Sequence, residues 1–134
     1  MTYLLDTNIC IYIMRRRPPH VFERFRQEGP ERIGISSLSV AELNSGMEKS
    51  QRVQGNLAAL EEFLYPLTIL TFDERAAYAY GKLRATLERQ GTPIGPLDTL
   101  IAAHALRLEA TLVTNNTHEF ARIPDLLVEN WADI

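Results

Sequence analysis

Residues 3–19 read Tyr3-Leu4-Leu5-Asp6-Thr7-Asn8-Ile9-Cys10-Ile11-Tyr12-Ile13-Met14-Arg15-Arg16-Arg17-Pro18-Pro19. Tyr3 to Asp6 has the length and apolarity of a short buried strand. From Thr7 to Arg17 the apolar Ile9, Ile13 and Met14 recur at helical spacing, and Pro18-Pro19 closes the segment because proline cannot continue a helix. The stretch is therefore one β-α step.

The same alternation continues outward. A short helix is expected over His20–Gln27, ending at Glu28-Gly29-Pro30, and a strand over Arg32–Ser36. Ser39 and Glu42 have capping-box spacing ahead of an apolar stripe of Val40, Leu43 and Met47, so a helix is expected to start at Ser39. Ser50 to Gly55 reads as a polar break before a helix over Asn56–Leu64. A strand over Leu67–Phe72 precedes a long helix over Asp73–Gln90, stopped by Gly91. The turn Thr92-Pro93-Ile94-Gly95-Pro96 leads into a helix over Leu97–Leu108, followed by strands over Thr111–Thr114 and Leu126–Glu129. Alternation of this kind predicts an α/β fold, a three-layer α/β/α sandwich around a central, mostly parallel sheet, in one domain over residues 1–134.

Composition sets outer limits. With 134 residues, 46% of them hydrophobic and 23% charged, the chain can bury one substantial core. Its single cysteine, Cys10, forms no internal disulfide and belongs to no zinc-ligand spacing, which fits the reducing cytoplasm. No basic leader precedes Tyr3 and no stretch approaches the ~20 apolar residues of a membrane span, so secretion and membrane insertion are not expected. A net charge of -3 argues against a general nucleic-acid coat. Of the 14 basic residues only Lys49 and Lys82 are lysines, and arginine is the better side chain for bidentate phosphate contacts, so RNA stays open as a ligand.

In an open α/β sheet, functional groups gather beyond the carboxyl ends of the strands. Here those positions hold acids: Asp6 ends the first strand, Glu42 follows the second, Asp98 lies in the first turn after the Pro-Gly-Pro turn, and Glu119 follows the Thr111–Thr114 strand. Each alone has a structural reading. Asp6 caps a helix, Glu42 completes a capping box, Asp98 complements a helix dipole for ~0.5 kcal/mol, and Glu119 sits in a loop. Together they pose an electrostatic problem, because two carboxylates about 5 Å apart repel by roughly 3 kcal/mol at an effective dielectric near 20. Either some protons stay on, or a hard cation such as Mg²⁺ or Mn²⁺ binds. The second option brings chemistry, since a divalent ion acidifies water and stabilises the leaving oxygen of a phosphodiester.

Four segments in this order, Leu4-Leu5-Asp6-Thr7-Asn8, Ser36-Ser37 to Val40-Ala41-Glu42-Leu43, Asp98-Thr99-Leu100-Ile101-Ala102-Ala103 and Thr114-Asn115-Asn116-Thr117-His118-Glu119-Phe120, resemble those of PIN-domain nucleases. Gly46-Met47-Glu48-Lys49-Ser50 and Val128-Glu129-Asn130-Trp131 resemble the VapC toxins, so the likeness spans essentially the whole chain. It implies a Mg²⁺-dependent endoribonuclease toxin, commonly a homodimer, silenced by a VapB-type antitoxin and inhibiting translation when released. It assigns Asp6, Glu42 and Asp98 to metal binding and catalysis. Many PIN domains carry an aspartate where this chain has Asn116, which leaves Glu119 or Asn116 for the fourth position. Asn8, Thr114 and Asn116 match polar positions that support the carboxylates by hydrogen bonding. Many relatives have Arg where His118 stands. A tRNA anticodon stem-loop is the preferred substrate, with 5′-phosphate and 3′-hydroxyl products.

Three other features have structural readings. Arg15-Arg16-Arg17 suits a helix C-terminus as well as a phosphate. His104, six residues past Asp98, turns away from that acid and reads as packed; Trp131 reads as an anchor on the sheet edge. Rival functions are distinguishable. A haloacid-dehalogenase-like phosphatase needs an aspartate where Asn8 stands, a metal-independent ribonuclease would resist chelators, and a PIN-like module that binds RNA or protein without cutting would not need the acids.

Overall fold

The computed structural model describes residues 1–133. Five strands form one sheet: β1 (Tyr3–Leu5), β2 (Ile33–Ser36), β3 (Thr68–Leu70), β4 (Thr111–Val113) and β5 (Val128–Glu129). Their order is β3-β2-β1-β4-β5, and every adjacent pair is parallel, so the sheet is wholly rather than mostly parallel. Along β1 the side chains alternate between faces, as the pleat requires. Tyr3 and Leu5 enter a core with Ile9, Ile13, Val21, Ile33, Ile35, Leu43, Leu60 and Trp131, whereas Leu4 enters one with Leu83, Leu87, Ile101, Leu112, Phe120 and Ile123. Helices α1 (Thr7–Arg15), α2 (Pro19–Glu28), α3 (Ser37–Glu48) and α4 (Val53–Leu64) supply the first layer. Helices α5 (Glu74–Arg89), α6 (Pro96–Leu108) and α7 (Thr117–Phe120) supply the other, completing the expected three-layer sandwich.

Several boundaries differ from expectation for local reasons. Helix α1 stops at Arg15, short of Arg17: Arg16 is left-handed (φ 57°), its N–H donates to Ile13 O, and Arg17 N–H donates to Tyr12 O. This is a Schellman close. The α conformation is also disfavoured at Arg17, the residue before Pro18. The Ser39 capping box does not form. Helix α3 starts two residues earlier, capped by the Ser36 hydroxyl, which accepts from Leu38 N–H (3.1 Å), and Ser39 is fully buried inside the helix. Serine caps wherever the strand delivers the chain, and β2 ends at Ser36. Helix α4 begins at Val53 instead of Asn56, and β3 and β5 are shorter than expected. A 3₁₀ turn at Pro30–Arg32 and the short α7 were not foreseen. Helix α5 ends at Arg89, one residue short of the expected Gln90, and Gly91 just beyond takes a left-handed φ of 71° that glycine adopts at least cost.

Among the described residues no helix is long and apolar enough to cross a membrane. Trp131 is buried and meets the Tyr3 ring edge-on at 5.2 Å, as an anchor beside β5 should.

Candidate active site

Strand order reverses between β1 and β4, since the chain leaves β1 toward β2 and β3 and returns on the opposite side through β4 and β5. The crevice beyond their carboxyl ends is where α/β sheets bind ligands. Asp6 and Thr114 are the first residues past these two strands. Asp6 N–H donates to Val113 O, and the Thr114 hydroxyl donates to Asp6 Oδ2 at 2.8 Å. Asp6 Oδ1 accepts from Thr7 N–H, so the same carboxylate that caps α1 is also oriented by β4. The capping reading of Asp6 holds, and the same carboxylate stands at the switch point. Burial pushes its carboxyl above the ordinary range; the Thr114 and Thr7 hydrogen bonds oppose this, and the charge of Glu42 adds to it.

Asp98 stands half-buried in the first turn of α6, where Pro96 is pre-organised to start a helix. Its carboxyl is pushed up to about 6, first by burial and then by the negative charges of Asp6, Glu119 and Glu42. All four expected acids thus share one electrostatic neighbourhood. Among the described residues none of them forms a salt bridge.

The supporting groups are unequal. Thr114 is fully buried; while donating to Asp6 it accepts from Asn116 N–H at 3.0 Å. Asn116 Nδ2 donates to Glu119 Oε2 (2.6 Å), and Gly95 N–H donates to Glu119 Oε1 (3.3 Å), which together hold the Glu119 carboxyl below its usual range. Asn116 therefore acts on Glu119, which joins α7 to the turn ahead of Asp98. Asn8 departs from the expected role: it is exposed on α1 and makes no side-chain hydrogen bond to an acid among the described residues. Glu42 is exposed on α3. The Gly95 N–H was invisible to sequence reasoning, because a main-chain donor carries no residue-type signal.

The donor chemistry suits a hard divalent ion, with carboxylate oxygens in excess and no arginine or lysine paired to them. Among the described residues no three His, Cys, Asp or Glu side chains are gathered into a ready ligand cage.

A parallel sheet with an acid-lined switch point defines an α/β domain of PIN type, and the PIN domain family model matches residues 3–126. The tRNA(fMet)-specific endonuclease VapC of Salmonella typhimurium is 44% identical over 131 residues, covering 98% of both chains. Ribonuclease VapC2 of Rickettsia felis is 44% identical over 132 residues with the same coverage. Among solved structures, DNA-bound VapBC from Salmonella typhimurium superposes with a TM-score of 0.92 at 44% identity over 98% of each chain. FitAcB from Neisseria gonorrhoeae does so with a TM-score of 0.84 at 29% identity, covering 99% of this chain and 100% of that one. The chain belongs to the PIN-domain family, within its VapC toxins.

Proposed function

We propose that this chain is a cytoplasmic, divalent-metal-dependent endoribonuclease toxin that cuts tRNA, inhibits translation, and is restrained by a VapB-type antitoxin. The observation that carries the reading is the gathering of Asp6, Asp98, Glu42 and Glu119 at the switch point with no salt bridge to any of them among the described residues, an arrangement that also raises the Asp98 carboxyl to about 6.

Asp6, Asp98 and Glu42 would hold Mg²⁺ or Mn²⁺. When bound, such an ion supplies Lewis acidity, lowering the pKa of a nearby water and offsetting charge on the phosphate oxygens. The chain's own residues do the positioning. Thr114 and Thr7 N–H fix both oxygens of Asp6, so that carboxylate pays little entropy to be used. Glu119, tied to Gly95, steadies the turn that presents Asp98. Relatives from Salmonella typhimurium and Shigella flexneri bear the name tRNA(fMet)-specific endonuclease, which supports a tRNA substrate, with the anticodon stem-loop preferred.

Antitoxin control would have its seat on the α1, α3 and α4 layer, in a cleft of about 360 Å³ lined by Ile11, Met14, Arg15, Met47 and Ala59. An amphipathic antitoxin helix would lay its apolar face there. Relatives solved as VapBC complexes support such a partner; a homodimer is implied by the family resemblance alone.

The test is cleavage of total RNA by antitoxin-free protein with Mg²⁺ or Mn²⁺, with EDTA, and with Asp98→Asn purified identically, followed by end mapping. Discrete cuts with 5′-phosphate ends, lost in EDTA and in the variant, are expected. Cuts that survive both would overturn the carboxylate mechanism. RNA binding without cutting in any condition would instead favour a non-catalytic PIN-like module.

A further inference from the structure

The acids are carried by separate elements, Glu42 by α3 and Asp98 by α6, and one buried contact ties those carriers together. His104 on α6 is 1% exposed, and its Nδ1 lies 2.9 Å from the Oγ of Ser36, which is fully buried. Ser36 is both the last residue of β2 and the cap of α3. The β1–β2 register pairs Leu4 with Gly34, so Asp6 and Ser36 are corresponding positions two residues further along neighbouring parallel strands, on the same face of the sheet. Helix α6 therefore meets the sheet twice at one level, with Asp98 near Asp6 and His104 at Ser36.

Ser36 Oγ holds two partners at once. It accepts from Leu38 N–H and keeps both its hydroxyl hydrogen and a second lone pair, so it can pair with Nδ1 in either tautomer of the neutral ring. Burial lowers the His104 pKa, against the opposing effects of the Asp73 charge and a hydrogen bond to the Thr71 main chain, which favours the neutral ring. A third segment closes on the pair. The Phe72 ring meets the imidazole edge-on at 5.3 Å, and Phe72 N–H donates to Ser37 Oγ at 3.0 Å.

We infer that the Ser36–His104 hydrogen bond is the pin that sets α6 against the β2–α3 junction, making Ser36 and His104 positioning residues for the Glu42–Asp98 spacing. Each acid lies six residues from its end of the pin, about 9 Å along a helix at 1.5 Å per residue. At that lever arm a small tilt or slide of α6 moves Asp98 by enough to matter, since misplacement of about 1 Å can cost 10²-fold in rate. The inference rests on the metal-nuclease reading given above.

The experiment compares the full chain with His104→Leu, His104→Asn, Ser36→Ala and the Leu/Ala double variant. It measures Mn²⁺ affinity by calorimetry without RNA, single-turnover cleavage of total tRNA, tRNA affinity and thermal melting. His104→Leu and Ser36→Ala should each slow cleavage by roughly 10- to 100-fold and weaken Mn²⁺ binding, with tRNA affinity unchanged. The double variant should be no worse than Ser36→Ala alone, because both changes remove the same bond and Ser36→Ala already includes the lost cap. His104→Asn, which keeps an acceptor near the Nδ1 position, should restore cleavage to within about 3-fold, separating the pin from the helix cap that Ser36→Ala also removes. Should His104→Leu fail to fold, Ser36→Ala and His104→Asn decide on the same readouts. Wild-type Mn²⁺ affinity in the folded variants, or additive losses in the double variant, would overturn the pin while leaving the nuclease reading intact. A wild-type chain that neither binds Mn²⁺ nor cuts RNA would overturn both.

Discussion

Acidic side chains flank two parts of this sheet, and the fold treats them in opposite ways. Beside β5, Glu28 accepts from Arg24 and Arg32 at 2.8 Å each, and Glu129 accepts from Arg24 at 3.0 Å and from Trp131 Nε1 at 3.0 Å. Arg24 also lies over the Trp131 ring and Arg32 over Tyr3. Around Asp6 and Asp98, at the switch point, none of the four acids forms a salt bridge among the described residues. Glu129 shows that a strand end alone does not make a site, for it too closes a parallel strand. What distinguishes the two regions is compensation. Charge neutralised within the chain holds elements together, whereas charge left unneutralised costs stability and attracts a cation from outside.

The largest test of this contrast is Asp98→Asn, which should move activity and stability in opposite directions. Single-turnover cleavage should fall on the order of a thousand-fold, equivalent to about 4 kcal/mol of transition-state stabilisation. Metal-free melting at pH 7 should rise. The folded pKa of Asp98, about 6, lies above its unfolded value of about 3.9, so the folded chain holds the proton more tightly. The resulting stabilisation is complete below about pH 4 and is lost as pH rises through about 6. At pH 7 the wild type therefore lacks it and bears a charge penalty that the asparagine avoids. For a half-exposed group, screening leaves roughly 1 kcal/mol, or about 2–4 °C in melting temperature, and the two proteins should converge below about pH 4. A variant that melts lower than wild type at pH 7 would break the comparison.

Thr114→Val sharpens it further. The change preserves shape but removes the donor to Asp6 and the acceptor for Asn116 N–H, and should slow cleavage about 10- to 100-fold, read with Mg²⁺ titration to show weaker metal activation. The smallest effect belongs to the compensated edge. Glu28→Gln should cost less than about 1 kcal/mol by denaturant melting, because Arg24 and Arg32 are well exposed, and should leave cleavage at the wild-type rate. A large loss of cleavage there would mean that the two regions are coupled.

Much of this was legible in the chain itself. The β-α alternation, the helix stops at Pro18 and Gly91, and the placement of Asp6, Asp98 and Glu119 after strands or in first turns all follow from local pattern. That Asn8 is exposed and makes no hydrogen bond to the acids among the described residues was not legible, because a residue's neighbourhood on a helix face depends on how that helix packs. The start of α3 was misplaced because Ser36, Ser37 and Ser39 are chemically equivalent caps until a strand picks one.

The sequence by itself determined the order of elements, the strand-end acids and the family likeness, since these depend on residue type and on spacing within a few turns. Only the tertiary structure decided which acids go unpaired, that Thr114 serves Asp6 across 108 positions, that Glu119 reaches back to Gly95, and that His104 meets Ser36. Those contacts join residues far apart in the chain, and each depends on where the parallel sheet brings its strand ends together.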